Sequence, residues 1–245
     1  MTYCVGMKID RGLVFMSDTR TNAGLDNISV FSKMRTWSKV GDRVIVLLSA
    51  GNLATTQAVA SLLEERMKAP AERHSSLFDA PSMFQAARLV GDTVKEVIAS
   101  STPEGQTADA FGASFLLGGQ IRGGQTCLFY IYPEGNFIES SADTPFFQIG
   151  ENKYGKPILV RAYHEGMRFE DAVKLLLVSF DSTLKANLSV GLPFDMQIYE
   201  TDSLEPGPQR RFEASDPYYQ TVSERWSEAL KSALEQIPPF RFDKD

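Results

Sequence analysis

The order of strand-like and helix-like segments predicts an α+β protein, built as a four-layer αββα sandwich. Apolar runs typical of strands and apolar periodicity typical of helices follow each other as strands, two helices, strands, two helices, strand and helix. Grouped elements favour α+β architectures, whereas strict alternation favours parallel βαβ folds. Two antiparallel sheets packed face to face, with helix pairs on both outer faces, would bury every apolar face of the chain.

Two β-hairpins are predicted at the start of the chain. The first turn is Asp10-Arg11-Gly12, in which glycine supplies a positive φ, and the second lies around Gly41-Asp42. A turn-rich loop at 22–27 separates the hairpins. The four predicted strands are 2–9, 13–19, 33–39 and 43–50.

Helical periodicity begins after Gly51. One helix is expected from Leu53 to about Ala69-Pro70, a second is marked by Pro81 and apolar residues from 84 to 98, and 101–109 is expected to be a loop. The last helix should begin at Asp216-Pro217, an N-cap followed by proline. Its expected buried face comprises Val222, Trp226, Ala229, Ala233 and Ile237. The other predicted elements are strands at 111–118, 126–132, 137–140, 146–149 and 194–201 and helices at 153–164 and 169–184.

The composition is that of a globular protein and argues against several functions. The 245 residues are 43% hydrophobic and 23% charged, with no linker-like segment. A net charge of −6 and the lack of a basic block argue against binding to nucleic acid. Without a basic and apolar leader or a long apolar run, we expect a cytoplasmic protein with no membrane partner. Cys4 and Cys127 lie in apolar runs and are expected to be buried, reduced thiols.

Residue 2 combines two groups that catalysis can use. If Met1 is removed, Thr2 carries a hydroxyl nucleophile and a free α-amine. A threonine hydroxyl is a poor nucleophile near neutral pH, and an N-terminal amine is one of the bases that activate it. The usual pKa of that amine, about 7.7–8.0, leaves it partly neutral and able to accept a proton. Thr2 is therefore a candidate nucleophile and base in one residue.

Asp18 and Lys33 are charged residues that would assist Thr2. An ammonium near the hydroxyl would lower the pKa of the α-amine and favour the developing alkoxide, and Asp18 would keep Lys33 charged and in place. We expect the strands at 2–6, 13–19 and 33–39 to lie side by side in one sheet, so that the three residues meet at one edge. Taken singly, Asp18 and Lys33 would more often be a structural ion pair.

These residues form an ordered set that resembles a known family. Thr2, the run Ser17-Asp18-Thr19-Arg20, Lys33 and the turn Ser49-Ala50-Gly51 before a helix resemble the N-terminal half of proteasome β-type subunits. The run Thr21-Asn22-Ala23-Gly24 and the long C-terminal extension are similar to the bacterial Anbu branch, the ancestral β subunit. The resemblance extends to about residue 201. It implies the N-terminal-nucleophile hydrolase fold, threonine-type peptidase chemistry without cofactor or metal, and a homo-oligomer that is ring-like or open and helical.

The resemblance also implies a role for individual residues. Thr2 would be nucleophile and base, Asp18 the partner of the lysine, and Lys33 the electrostatic activator. The backbone N–H of Gly51 would donate to the oxyanion, an interaction worth about 2.7–4 kcal/mol per donor. Two residues that flank this glycine would face the pocket for the side chain preceding the scissile bond: Ser49 and Leu53.

The chain departs from the family where the amine of the nucleophile is usually supported. Family members usually place a serine after glycine where this chain has Gly150-Glu151-Asn152, and an aspartate with a nearby serine where it has Asn187-Leu188-Ser189. A Glu151 carboxylate that accepts a hydrogen bond from the Thr2 ammonium would raise the pKa of that amine and weaken it as a base. We expect low activity on ordinary peptides. The supporting residues expected here are Arg20, Glu151, Asn187 and Ser189.

Other catalytic centres are poorer hypotheses. His74 and His164 are the only histidines and lie outside any His-Glu-x-x-His motif, so no multi-histidine metal centre is expected, and both should be at the surface. A thiol dyad of Cys127 and His164 conflicts with the apolar run around the cysteine, which favours a core strand. Gly118-Gly119 with Gly123-Gly124 lacks the Lys-Ser/Thr and the helix of a phosphate loop and predicts a hairpin turn.

Three functions stay open for this sequence. The first is a threonine-type hydrolase of peptides or amides, which requires removal of Met1. The second is an amidase or transpeptidase acting on a small or non-protein amide, since a fold does not fix a substrate. The third is a catalytically weak or inactive scaffold subunit, in which the surroundings of Glu151 and Asn187 have cost turnover.

The C-terminal segment is expected to extend the main domain. We assign 1–203 to the hydrolase-like domain and 204–245 to an extension with an amphipathic helix. That helix would pack on the same domain or on a neighbouring subunit, because Tyr218, Tyr219 and Trp226 are of the types enriched in interfaces.

Overall fold

The computed structural model describes residues 2–22, 28–68, 75–103 and 107–242 and confirms the αββα sandwich. The strands are β1 Tyr3–Ile9, β2 Gly12–Asp18, β3 Arg20–Asn22, β4 Ile28–Val30, β5 Met34–Lys39, β6 Arg43–Gly51, β7 Ala113–Ile121, β8 Cys127–Ile131, β9 Phe137–Glu139, β10 Phe146–Gly150, β11 Phe194–Glu200 and β12 Gln209–Phe212. The helices are α1 Leu53–Lys68, α2 Met83–Ser101, α3 Lys156–Ala162, α4 Phe169–Ala186 and α5 Pro217–Glu235, with a 3-10 turn at Ala108–Phe111.

Two five-stranded antiparallel sheets form the middle layers. The first has the order β10-β1-β2-β11-β12 and the second the order β5-β6-β7-β8-β9, while β3 and β4 form a separate ribbon. Both N-terminal hairpins are confirmed, as β1–β2 and β5–β6. The expectation that residues 33–39 share a sheet with 2–6 and 13–19 is wrong, because β5 pairs with β6 in the second sheet. The three segments meet across two facing sheets instead.

Alternation along each strand explains the layers. In β1 and β2, Tyr3, Val5, Val14 and Met16 pack towards α4, while their neighbours such as Phe15 pack between the sheets. Because successive side chains point to opposite faces and both faces are buried, these strands are apolar almost throughout. The second sheet packs its outer face against α1 and α2.

The last helix is only partly buried. It begins at the predicted position, where the Asp216 carboxylate accepts the N–H groups of Tyr218 and Tyr219. Val222 is buried and Trp226 half-buried, but the rest of the predicted buried face, namely Ala229, Ala233 and Ile237, is exposed. The hydrogen bonds of α5 with α4 come from residues 219–227 of α5, and the α5 residues after 227 are exposed.

Several predicted boundaries shift, and some elements were not predicted. The strand expected at 111–118 is β7, displaced by the 3-10 turn that precedes it, and the helix expected at 153–164 is the shorter α3. β12, β3 and β4 had no counterpart among the predicted elements. The turn at Gly123 between β7 and β8 is confirmed. Of the predicted loops, residues 23–27 and 104–106 lie outside the described residues.

The thiols and the one described histidine, His164, show no arrangement typical of a second catalytic centre. Cys4 is buried and Cys127 only half-buried, and both are free. Burial raises the pKa of both thiols, that of Cys127 to about 12 with help from Glu139, so neither supplies a thiolate near neutral pH. His164 is exposed, while His74 lies outside the described residues. The described residues include no group of three or more His, Cys, Asp or Glu that could hold a metal ion, and none of the described helices is both long and apolar enough to cross a membrane.

Candidate active site

The candidate site lies where strand ends from both sheets meet. In an antiparallel pair, the start of one strand lies beside the end of its neighbour. Thr2 therefore comes beside Asp18 at the β1–β2 end, and Lys33 comes beside the end of β6, where the Ser49 N–H donates to the Lys33 carbonyl at 3.0 Å. Gly51 is the last residue of β6. Thr2, Lys33 and Gly51 line one cavity of about 450 Å³.

The Asp18 carboxylate connects three segments of the chain. Its Oδ1 accepts the Tyr3 N–H at 3.0 Å and the Lys33 ammonium at 2.6 Å, and its Oδ2 accepts the Gly191 N–H at 3.3 Å. The residue has no exposed surface. Burial raises the pKa of this carboxyl, and the Lys33 ammonium and the two backbone donors oppose that shift. The expected Asp18–Lys33 pair is therefore present, and it also binds the backbone next to Thr2.

Lys33 is held by two acceptors. Its side chain is 5% exposed and donates to Asp18 and, at 2.6 Å, to the Arg20 carbonyl. A buried ion pair is costly to desolvate and is weak evidence of stability by itself. Lys33 also lines the cavity beside Thr2.

Two glycines let the backbone approach closely around Thr2. Gly150 has φ +81°, and a Cβ there would collide with the Thr2 carbonyl oxygen. Its successor Glu151 donates its N–H to that same oxygen at 2.6 Å. Gly51 has φ +113°, and a Cβ there would collide with the carbonyl oxygen of Gly112. Left-handed backbone and close packing together require glycine at both positions.

The substrate-side residues predicted from the sequence line the cavity. Ser49 and Leu53 both border it, as does the predicted supporting residue Arg20. Further lining residues were not predicted: Thr21, Phe31, Ser32, Arg35, Leu47, Ala50, Thr56, Gln57, Ala60, Phe115 and Gly150. Strand alternation from Lys33 would have indicated Arg35, and helical spacing from Leu53 would have indicated Thr56 and Gln57.

The other supporting residues lie behind the cavity wall. Both oxygens of the Glu151 carboxylate have partners, since Oε1 accepts the Lys153 N–H and Oε2 the Asn187 amide, each at 2.9 Å. The Ser189 N–H donates to Asn187 Oδ1 at 2.9 Å. Arg20 donates to the Leu188 carbonyl at 2.9 Å. The sequence-predicted group of Arg20, Glu151, Asn187 and Ser189 is thus brought together, with Glu151 bound to Thr2 through its backbone. A hydrogen bond from a Thr2 ammonium to the Glu151 carboxylate stays a prediction.

Comparison with known proteins agrees with this architecture. The family model described as proteasome subunit matches residues 2–198. A curated relative, the proteasome subunit beta of Methanopyrus kandleri, is 23% identical over 190 residues, which cover 78% of this chain and 82% of the relative. The fold and the Thr-Asp-Lys arrangement at the sheet ends define a proteasome-type subunit.

Solved structures at higher identity narrow this class. Anbu from Hyphomicrobium sp. strain MC1 is 50% identical with a TM-score of 0.92, covering 98% of this chain and all of the other. Anbu (ancestral beta-subunit) from Yersinia bercovieri is 46% identical with a TM-score of 0.91 and the same coverage. A helical assembly of the Anbu complex from Pseudomonas aeruginosa is 45% identical with a TM-score of 0.91 over 98% of each chain. The chain belongs to the proteasome subunit family and, within it, to the Anbu proteins.

Proposed function

We propose that this protein is a threonine-type peptidase or amide hydrolase in which Thr2, after removal of Met1, is both nucleophile and base. One observation carries the proposal. Asp18 Oδ1 accepts the N–H of Tyr3, which adjoins Thr2, and the ammonium of Lys33, which lines the same cavity as Thr2. The arrangement couples the backbone of the nucleophile to a buried cation. Removal of methionine takes place in the cytosol, so the proposal places the protein in the cytoplasm.

The reaction would proceed by acyl transfer. Thr2 Oγ attacks the carbonyl carbon of the scissile amide, and its proton passes to the neutral α-amine. The C–N bond then breaks, the departing amine takes that proton, and an ester remains on Thr2. Water attacks the ester with the α-amine again as base, which releases the acid and regenerates the hydroxyl. No step needs a redox partner.

The surrounding groups would supply electrostatic stabilisation. The Lys33 ammonium favours the developing alkoxide and lowers the pKa of the α-amine, because a nearby cation disfavours the ammonium form. The Gly51 N–H would donate to the oxyanion, and a donor of this kind is worth about 2.7–4 kcal/mol. Glu151 would act in the opposite direction on the amine. Its carboxylate is already bound by Asn187 and Lys153, and this limits its capacity to accept from Thr2.

The first test is the chemical state and reactivity of residue 2. Intact mass and N-terminal sequencing should show a chain that begins with Thr2. A peptide α′,β′-epoxyketone, which reacts with the hydroxyl and the free amine together, should then add once at Thr2. Thr2→Ala should abolish this addition, whereas Thr2→Ser, which keeps both groups, should retain it.

The outcomes separate the three functions. Cleavage of casein or fluorogenic peptides together with labelling supports the peptidase, while labelling without peptide cleavage supports an enzyme for a smaller amide. Retention of Met1 in protein from its own cells, or absence of labelling in a chain that begins with Thr2, would contradict the proposal and favour a scaffold.

We also propose that the chain assembles with copies of itself. The proposal is supported by the relative from Pseudomonas aeruginosa, which is described as a helical assembly. Head-to-tail contacts that do not close into a ring give open helical arrangements. Light scattering coupled to size exclusion should give a mass of several subunits, and electron microscopy should separate closed rings from open turns. A monomer at micromolar concentration would contradict this proposal.

A further inference from the structure

The cavity beside Thr2 has an unusual charge distribution. Its charged lining residues are Arg20, Lys33 and Arg35, and no acidic residue of the described chain lines it. This contrasts with the net charge of −6 for the whole protein. A cleft lined by one sign of charge concentrates ligands of the opposite sign. The question is which of the three cations is available to a substrate.

Two of the cations are already engaged. Lys33 is paired with the Asp18 carboxylate at 2.6 Å, which balances its charge. The Arg20 guanidinium donates to the Leu188 carbonyl and lies so close to Gly191 that a Cβ there would collide with it. Arg20 is therefore built into the wall of the cavity. Neither side chain can move to bind a substrate without breaking these contacts.

Arg35 differs from both. It lies on β5, two residues after Lys33, which directly precedes that strand, and the Arg35 side chain is 42% exposed. Within the described chain its ion-pair partner is Glu64, with Nε and Oε1 3.8 Å apart, which is too long for a hydrogen bond. The five N–H donors of a guanidinium form a fork that fits a carboxylate with two parallel hydrogen bonds. Arg35 therefore has donors to offer to an anionic group in the cavity.

The other arginines near Arg35 are paired with carboxylates. Arg35 also borders an adjoining cavity, whose other charged lining residues are Asp195, Arg210 and Arg211. Asp195 is bound by Arg211 through two hydrogen bonds of 2.6 and 3.0 Å. Arg210 is likewise paired with the Asp216 carboxylate at 2.7 Å, whereas Arg35 has only the longer 3.8 Å contact to Glu64 among the described residues. Apolar side chains complete the wall on the other side: Leu47, Leu53 and Phe115.

We infer that the cavity beside Thr2 selects an acidic substrate side chain and that Arg35 is the specificity residue that binds its carboxylate. The methylene groups of a glutamyl side chain would contact the apolar wall while its carboxylate meets the guanidinium fork. The inference rests on the proposed function for the cleavage itself. The binding preference requires no turnover and can be measured separately.

The test uses Thr2→Ala protein, which binds without cleaving. Calorimetry should compare acetylated, amide-capped tetrapeptides that differ only by Glu, Gln or Lys at one position. We expect the Glu peptide to bind roughly tenfold more tightly than the Gln peptide, as for a charge-assisted pair in a partly desolvated site, and the Lys peptide to bind least. The preference should weaken in high salt, because Arg35 is partly exposed.

Variants assign the preference to Arg35. Adding Arg35→Met should reduce the ratio between Glu and Gln peptides to about twofold or less, and Arg35→Glu should favour the Lys peptide. Glu64→Gln, which removes the competing carboxylate, should increase the preference for Glu. The matched control is Arg88→Met, which makes the same charge change on α2 at a side chain that is 65% exposed. It should leave the preference unchanged.

Failure of this inference can be told apart from failure of the proposed function. Equal binding of Glu and Gln peptides, no measurable binding of any peptide at millimolar concentration, or a preference that survives Arg35→Met would overturn the inference. A Glu preference in Thr2→Ala that is lost in the Arg35 variants supports it, even if the processed wild-type protein neither labels nor cleaves. Labelling at Thr2 without a preference for the Glu peptide would support the proposed function and contradict the inference on substrate charge.

Discussion

At the scale of single residues, Gly150 shows how the lack of a side chain lets two backbone segments approach closely. It is the last residue of β10 and has a left-handed backbone, and the space that a Cβ would need is taken by the carbonyl of Thr2. The Glu151 N–H then reaches the same carbonyl. The position of Thr2 thus depends on a residue far away in the sequence.

Gly150→Ala tests this dependence, with Gly123→Ala as its matched control. Both glycines have nearly the same φ, +81° and +79°, but a Cβ on Gly123 would meet nothing within 4 Å. Gly123→Ala should therefore lower the free energy of unfolding by about 1 kcal/mol through backbone strain alone. Gly150→Ala should lower it by roughly 1–3 kcal/mol more, because of the added collision. Urea unfolding measures the free energy of unfolding of both variants. Equal decreases would show that the Thr2 backbone can move away from the added Cβ without destabilising the fold.

The residues of the site were predictable to different degrees. Thr2, Asp18 and Lys33 form an ordered set with distinct chemistry, so their meeting could be expected from the sequence. Strand alternation from Lys33 indicates Arg35, but whether Arg35 and Phe31 line a cavity depends on the partner strand and the facing helix, which no local pattern gives. Glu151 was expected to act through its carboxylate, and the structure adds a contact through its backbone.

At the scale of elements, local sequence signals predicted the turns and hairpins correctly, but they did not predict which sheet each hairpin joins. Glycine turns fixed the β1–β2 and β5–β6 hairpins, because the turn itself determines that pairing. The sheet that receives β5 depends on β7, more than sixty residues further along the chain, and no local pattern contains that information. The short strand β12 escaped prediction for the same reason, since its partner β11 defines it. The exposed second half of α5 shows that amphipathic spacing alone does not ensure a partner within the chain.

The start of α5 offers a pH test. Partial burial raises the pKa of the Asp216 carboxyl, but the hydrogen bonds from the Tyr219 N–H and the Arg210 guanidinium lower it by more. The pKa of this carboxyl therefore lies below its ordinary value of 3.8. A lowered pKa means that the charged form stabilises the fold above about pH 4, and that this contribution is lost as the pH falls through the folded pKa. Asp216→Ala should lower the free energy of unfolding by about 1 kcal/mol at pH 7, as expected for loss of an N-cap.

Asp216→Asn is the matched control, because asparagine caps helices about as well but does not titrate. The stability difference between wild type and Asp216→Asn, measured by urea unfolding, should shrink between pH 7 and pH 3. A difference that stays constant or grows towards low pH would contradict the assignment of the shift to the charged cap.

At the scale of the whole molecule, the first described residues are buried and the last described ones are exposed. Strand β1 is flanked on both sides in its sheet, and Thr2 is only 9% exposed. Near the other end, Phe242 is 86% exposed. The two termini should therefore tolerate additions very differently.

Tags at the two ends test this asymmetry. A permanent N-terminal tag acylates the amine of Thr2, so the tagged protein should fold but lose labelling by the epoxyketone. A tag of the same sequence at the C-terminus should leave labelling intact. Intact mass after labelling and thermal unfolding of both proteins are the measurements. Full labelling of the N-terminally tagged protein at Thr2 would show that the free amine is dispensable.

The Asp18 carboxylate has a consequence for biosynthesis. Its partners are contributed by Tyr3 and Lys33 near the start of the chain and by Gly191, and the Thr2 carbonyl is held by residue 151. Because a ribosome releases these segments in order, the backbone beside Thr2 can reach its final hydrogen bonds only after residues 151 and 191 have been made. A growing chain has no complete site until residue 191 has left the exit tunnel. The proposed hydrolase would therefore be inactive on the ribosome until most of its chain has been synthesised.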